Sequence, residues 1–296
     1  MRRRLDGVLL LDKPAGVGSN ALLQAVKRIY AAAKAGHAGT LDPLASGLLL
    51  VLFGEATKFS QFALDADKEY MARARLGVTT STADADGEVL ERQSRTVRFE
   101  DIEPVLTRFR GDLEQVPPMY SALKHAGRPL YALAREGREI PRAARRIRVH
   151  ELQLVRFAGD DLELRVLCSK GTYIRTLVED IGRALGCGAH LASLRRTRSG
   201  GFRIEDAVTL DQLRSDAAEA RDARLLPLER LLAGLPRVDL AAAQAERFAR
   251  GQALRLEQVP LGRCSVYGQQ GRLLGLGEAR VAGELRPRRL VSNASG

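Results

Sequence analysis

The chain of 296 residues has no tryptophan, few aromatic residues of any kind and only three cysteines. Cys168, Cys187 and Cys264 are scattered, odd in number and form no Cys-x-x-Cys pair. That argues against a disulfide framework and for a reducing cytosol. Histidine is scarce too. His37, His125, His150 and His190 show no zinc-ligand spacing, so no metal is expected. No apolar stretch approaches the roughly 20 residues of a membrane-spanning helix. The run Val8 to Leu11 after Met1-Arg2-Arg3-Arg4 is too short for the apolar part of a signal peptide. Acidic residues are in deficit, 36 against 47 Lys plus Arg, for a net charge of +11. Such an excess favours a polyanion, and without a membrane segment nucleic acid is the stronger candidate. Internal repeats and low-complexity stretches are missing as well.

What is present is a core-forming chain, 45% hydrophobic, long enough for one large or two modest domains. Its centre of interest is Gly36-His37-Ala38-Gly39-Thr40-Leu41-Asp42-Pro43-Leu44-Ala45-Ser46-Gly47, followed by the apolar run Leu48 to Phe53. The run reads as a buried strand. The glycines and Pro43 hold Asp42 in a tight, non-helical loop at the strand's edge. Two readings stand for Asp42: a turn-starting residue before proline, or a positioned reactive acid.

The rest of the chain supplies a scaffold. Gly7 to Asp12 is a first strand, and Ser19 or Asn20 can cap a helix running to about Ala33. Glu69 to Gly77 alternates as a strand opened by Tyr70, with Arg73 and Arg75 on one face. The acids Asp84 and Asp86 lack the remainder of a calcium loop. Phe99 to Arg110 is an amphipathic helix. Residues 118–148 carry eight basic side chains against two acids, with Tyr120 and Tyr131 interleaved, and read as a mobile arm for phosphates rather than a merely solvated face. Leu152 to Phe157 and Leu162 to Cys168 form a hairpin. Ser169 to Thr172 can cap a helix from Tyr173 to about Leu185, stopped by Gly186, but lacks the upstream glycine of a P-loop. Arg175 in the first turn opposes the helix dipole, so it is either solvated or paired with a buried carboxylate. Leu210 to Leu232 is helical in pattern. A boundary near Leu235 leads to a small β-rich domain with strands at Cys264 to Tyr267 and Leu273 to Gly277, and Val291 to Gly296 reads as a disordered tail.

The Gly36–Gly47 stretch resembles the active-site motif of the TruB family, the tRNA pseudouridine-55 synthases, with Ala38 and Ser46 as small departures. Lys13-Pro14-Ala15-Gly16, Lys68-Glu69-Tyr70, Ser169 to Thr176 and Leu194 to Gly200 resemble its other motifs, in order, over about residues 5 to 205. The resemblance implies an α+β fold: a mixed, mainly antiparallel central sheet flanked by helices in residues 1–234, with residues 118–148 as an RNA-clamping insertion. A small PUA-like RNA-binding domain would occupy residues 235–296. It implies isomerisation of a T-loop uridine in tRNA by a cytoplasmic monomer, without cofactor or metal.

By the same resemblance, Asp42 is the nucleophile and Arg175 its partner, which would keep the acid ionised despite burial. Tyr70 stacks on the extruded base. His37 meets the substrate, Tyr173 and Leu194 wall the uracil pocket, and Lys13 touches phosphate unless it is only a solvated loop lysine. Lys124, Arg128, Arg142, Arg145, Arg146, Arg195 and Arg196 bind RNA. Two other classes remain in view: an RNA chaperone without turnover, and an Asp-nucleophile phosphatase, which would want a second Asp where Leu44 stands.

Overall fold

A computed structural model describes residues 2–94, 96–121, 123–280 and 283–292. The chain opens with β1 (Gly7–Lys13), α1 (Ser19–Ile29), β2 (Ala35–Ala38) and β3 (Ser46–Phe53). Strands β1 and β3 are near-continuous apolar runs because both of their faces are covered. Val8, Leu10, Leu48, Leu50 and Leu52 enter one core, while Leu9, Leu11, Leu49, Val51 and Phe53 enter another, against Leu22, Leu23 and Val26 of α1. Helix α1 ends at Ile29, short of the expected Ala33, because Ala31 takes a left-handed conformation (φ 48°) that stops the helical ladder. Neither Ser19 nor Asn20 caps it; Gly18 holds that position.

Next come α2 (Ser60–Asp65), β4 (Lys68–Leu76), β5 (Val78–Thr80), β6 (Val89–Arg92), α3 (Phe99–Thr107) and β7 (Gly111–Gln115). The basic segment contributes β8 (Lys124–His125), β9 (Arg128–Pro129) and α4 (Leu130–Arg135) before β10 (Arg145–Ala158) and β11 (Asp161–Cys168) return to the sheet. Strand β10 begins earlier than its apolar pattern suggested. Arg145, Arg146 and Arg148 already pair with β7, and Ile147 between them is buried. The free part of the arm therefore ends before residue 145.

Helix α5 (Ile174–Leu185) and β12 (Ala189–Ser199) follow, and β13 (Phe202–Arg203) folds back on β12. The N-cap of α5 is Tyr173, with no side-chain cap, and Gly186 ends it at φ 74° as expected. Then β14 (Val208–Thr209), α6 (Leu210–Ser215), α7 (Ala218–Ala223) and a short 3₁₀ turn at Leu228–Leu232 take the place of the single helix expected over 210–232. Asp216 and Ala217 are extended; the ion pair Arg224–Asp216 ties the two parts of the broken segment together, and Arg3–Asp222 holds it against the body.

The main sheet runs β14-β1-β3-β12-β4-β11-β10-β7. Its joints are antiparallel except β1–β14 and β3–β12, so the mixed, mainly antiparallel α+β class holds. At the β3–β12 joint Gly47 has φ +100°, and a Cβ there would lie 2.3 Å from the Arg196 carbonyl oxygen. Gly47→Ala is expected to cost about 3 kcal/mol or more, read as a lowered urea midpoint. An unchanged midpoint would contradict this packing.

A second sheet, β15-β17-β18-β19-β16, is built from β15 (Arg237–Asp239), β16 (Leu254–Arg255), β17 (Gly262–Tyr267), β18 (Leu273–Ala279) and β19 (Glu284–Leu290), with α8 (Ala242–Ala249) packed on it. Tyr267, Leu273 and Leu276 of this sheet share a core with Phe59 and Ala63 beside α2. The expected loose tail is partly tied down: Val291 N–H donates to the Leu274 carbonyl and Ser292 N–H to Glu55 Oε2. Residues 293–296 lie outside the described residues.

Candidate active site

Asp42 sits on the loop between β2 and β3, and three anchors fix that loop. Lys13 at the end of β1 donates its ammonium to the carbonyls of Pro14, Pro43 and Ala45 at 2.9, 3.3 and 2.5 Å. Ser19 Oγ donates to the Leu41 carbonyl at 2.7 Å and accepts the Leu41 N–H at 2.9 Å. Arg196 Nη2 donates to the Gly39 carbonyl at 2.9 Å. Backbone held this way presents the Asp42 side chain, 46% exposed, without freedom to retreat.

The guanidinium of Arg175, only 5% exposed, arrives from the first turn of α5. Its Nη2 lies 3.0 Å from Asp42 Oδ2 and its Nε 3.5 Å from Asp84 Oδ2. Nη1 donates to the Thr82 carbonyl at 3.1 Å and Nη2 to the Tyr120 carbonyl at 2.5 Å. These acceptors explain a cation at a helix N-terminus, where the dipole alone disfavours it. Burial pushes the Asp42 pKa up; Arg175 pulls it down, Asp84 pushes it up again, and the net effect is upward. Arg175 acts on the acid in the expected direction, opposing burial. One guanidinium is shared between two carboxylates, so it offsets burial only in part.

Two cavities meet at Asp42. One, of about 360 Å³, is walled by Tyr70, Tyr173, Leu194, Leu64 and Arg196. The other, of about 630 Å³, takes in His37, Asn20, Asp84, Tyr120 and Tyr131. A larger hollow of about 760 Å³ lies elsewhere, around Val89, Arg92 and His190, and none of these groups lines it. Burial raises the pKa of both Tyr70 and Tyr173, so each phenol stays neutral. Tyr173 is clamped through its backbone, its N–H donating to Gln115 Oε1 at 2.8 Å and its carbonyl accepting from Gln115 Nε2 at 3.0 Å.

Comparison with known proteins falls on the same chain. The family model for the N-terminal domain of TruB family pseudouridylate synthases matches residues 27–174. Two further models, the tRNA pseudouridylate synthase B C-terminal domain and the pseudouridine synthase II TruB C-terminal region, match 175–233 and 236–291. A tRNA pseudouridine synthase B of Azoarcus sp. (strain BH72) is 53% identical over 295 residues, 100% of this chain and 98% of the relative. The chain belongs to the TruB family of pseudouridine synthases. A tRNA pseudouridine synthase B of Burkholderia pseudomallei (strain 1106a) is 54% identical over 98% of both chains. Among solved structures, an H/ACA RNP bound to a substrate RNA containing 2'-deoxyuridine aligns with TM-score 0.74 and 26% identity, over 98% of this chain and 86% of that one. The archaeal box H/ACA sRNP Nop10-Cbf5 complex aligns with TM-score 0.74 and 28% identity, over 97% and 86%.

Set against the TruB pattern, the structure divides the expected site residues. Asp42, Arg175, Tyr70, Tyr173 and Leu194 border one cavity, and His37 borders its neighbour. The His37 ring is held neutral, its pKa lowered by burial and by Arg196, and its Nδ1 is buried without a partner among the described residues. Lys13 and Arg196 do not lie on the surface as phosphate-binding cations would. Lys13 is fully buried and spends its ammonium on carbonyls, and Arg196, 1% exposed, donates to the carbonyls of Leu48 and Gly39. Both hold the Asp42 loop instead.

Of the remaining cations, Lys124, Arg128, Arg145 and Arg146 are exposed, though Arg128 pairs with Glu136. Arg142 is mostly covered beside Glu139, and Arg195 grips Asp12 with two bonds of 3.1 and 2.8 Å. Sequence reasoning gave no site role to Gln115, Ser19 or the second carboxylate Asp84. The last lies in the turn Ser81 to Gly87, a stretch that resembles a family motif but was given no role at the site; there Thr82 Oγ1 and Asp86 N–H both donate to Asp84 Oδ1.

Burial lowers the pKa of Lys13 to about 8, and that of Lys68, which donates to the carbonyls of Ala63, Leu64 and Ala66, also to about 8. At these two lysines the unfolded chain binds more protons than the folded one above about pH 8, so their contribution to stability rises with pH from there; the buried Cys168 thiol and Tyr30 phenol, both pushed up to about 12, act in the opposite direction from about pH 9 and 10. Urea midpoints should climb between about pH 8 and 9, and Lys13→Met should flatten the climb. A fall in wild-type stability from about pH 8 to 9 would refute these shifts.

Proposed function

We propose that this protein isomerises the uridine at position 55 in the T-loop of tRNA to pseudouridine, with Asp42 as its nucleophile and with the target base swung out of the stack. One observation carries the reading: a half-exposed carboxylate, 3.0 Å from a buried guanidinium, at the junction of a tyrosine-walled cavity and a second, wider one. The first cavity suits an extruded uracil lying against Tyr70, between Tyr173 and Leu194, and such contact offsets a few kcal/mol of unstacking. The second suits the nucleic-acid strand from which that base departs, with His37 at its wall. In the reaction the N1–C1′ bond breaks, the uracil turns, and C5 bonds to C1′. C5 loses a proton and N1 gains one, so no oxidant, reductant or nucleotide enters the balance.

The named relatives support tRNA as the RNA. Tyr120, Ser121 and Tyr131 of the basic insertion line the wider cavity, which supports a stem-loop held by Lys124, Arg128, Arg145 and Arg146 beside the chemistry. We assign residues 1–234 to catalysis and 235–296 to a further RNA contact. We further take it to act as a monomer in the cytoplasm, where three buried cysteines outside any disulfide would stay reduced. The test is incubation of purified protein with unmodified tRNA and no additive, followed by carbodiimide mapping. One T-loop uridine should become carbodiimide-reactive as pseudouridine. Binding without any such product would favour a chaperone and overturn the proposal.

A further inference from the structure

We infer that Ser121 is a further substrate-contacting residue, whose hydroxyl bonds the 2′-hydroxyl of the target ribose; the inference rests on the isomerase reading above. Ser121 is 4% exposed, and its Oγ is buried with no hydrogen bond of proper geometry among the described residues. Buried hydroxyls without partners are uncommon, and one at the wall of a cavity is a place where a ligand atom belongs.

The position says which atom. Among the described residues, Thr40, Leu41, Asp42, Ser121 and Arg175 alone line both cavities that flank the acid. A nucleotide with its base in the tyrosine-walled cavity and its strand in the wider one must lay its ribose across those residues. Arg175 is already committed to Asp42, Asp84 and the carbonyls of Thr82 and Tyr120. Thr40 is exposed to water and Leu41 has no polar side-chain atom. Ser121 is the buried hydroxyl left at the crossing. A phosphate would call for a cation there; a neutral group that both donates and accepts matches a sugar hydroxyl.

The residue is also held firmly enough to act. Its N–H donates to the Met119 carbonyl at 2.9 Å, and its carbonyl accepts the Tyr131 N–H at 3.1 Å. The carbonyl of the preceding Tyr120 accepts from Arg175, the guanidinium that touches Asp42. The root of the basic insertion is thus tied to the reacting centre by that same arginine. The nearby Tyr173 phenol feels the Ser121 hydroxyl, so a purely structural alternative is that Ser121 steadies Tyr173.

A binding cycle separates the two. T-arm stem-loops with uridine or 2′-deoxyuridine at the target are titrated against Asp42→Asn and against Asp42→Asn/Ser121→Ala, so that no RNA is converted. Removing the 2′-hydroxyl should weaken binding about 5- to 10-fold while Ser121 is present, and less than about twofold once the serine is replaced by alanine. Ser121→Thr in the same background should restore the penalty. An equal penalty in both proteins, or none in either, overturns the inference and leaves Ser121 as support for Tyr173. Wild-type protein is assayed in parallel for pseudouridine. Conversion by wild type with an unchanged 2′-deoxy penalty sinks only the role of Ser121, whereas no conversion by wild type sinks the functional reading itself.

Discussion

Asp42→Asn should reduce pseudouridine formation by at least about 10⁴-fold while leaving tRNA affinity within a few-fold of wild type. The amide keeps the shape of the side chain but loses the charge and the carboxylate oxygen proposed to attack. The loop around it is held by Lys13, Ser19 and Arg196 through backbone groups that this change does not touch. Binding energy spread over the exposed cations and the two cavities is likewise retained. Single-turnover conversion and filter-binding affinity, measured on the same preparation, check both halves. Residual conversion within about tenfold of wild type would remove Asp42 from the reaction; a collapse of affinity would make it a binding group instead.

Arg175→Lys is expected to lower single-turnover conversion by about 10²-fold or more and to depress the urea midpoint as well. The guanidinium serves Asp42, Asp84 and two carbonyls from one buried plane. An ammonium keeps the charge, but a single nitrogen cannot reach all of these acceptors at once. Losing the bond to the Tyr120 carbonyl also releases the root of the basic insertion. Stability and rate therefore fall together, unlike in Asp42→Asn. Full activity in this variant would argue that the Asp42–Arg175 contact is incidental.

The acid and its loop were legible because glycine, proline and an apolar strand punctuate the chain around them, and Arg175 because the resemblance placed it there. What escaped was the side of the chain on which a cation falls. Arg195 and Arg196 are adjacent in sequence and alike in charge, but a strand turns consecutive side chains to opposite faces. Arg195 meets Asp12 at the surface, while Arg196 points inward to the carbonyls of Leu48 and Gly39. Lys13 misled in the same way, since a lysine that satisfies three buried carbonyls has the same letter as one that meets phosphate. The net upward push on Asp42 was hidden for another reason: it comes first from burial, which only the fold creates, and then from Asp84, whose reach to the guanidinium the polar turn does not announce.

Strand β1, drawn from the first residues of the chain, lies between β3 and β14, and its Val8 exchanges backbone bonds with Leu226. On the ribosome this strand must wait for a partner whose codons lie far downstream, at Val208 and Thr209. Asp42 is thus translated early but framed late, and an unfinished chain carries it without its finished setting. Nascent fragments ending before β14 should be poor catalysts and sticky ones, because an apolar edge that the complete protein covers would still be bare.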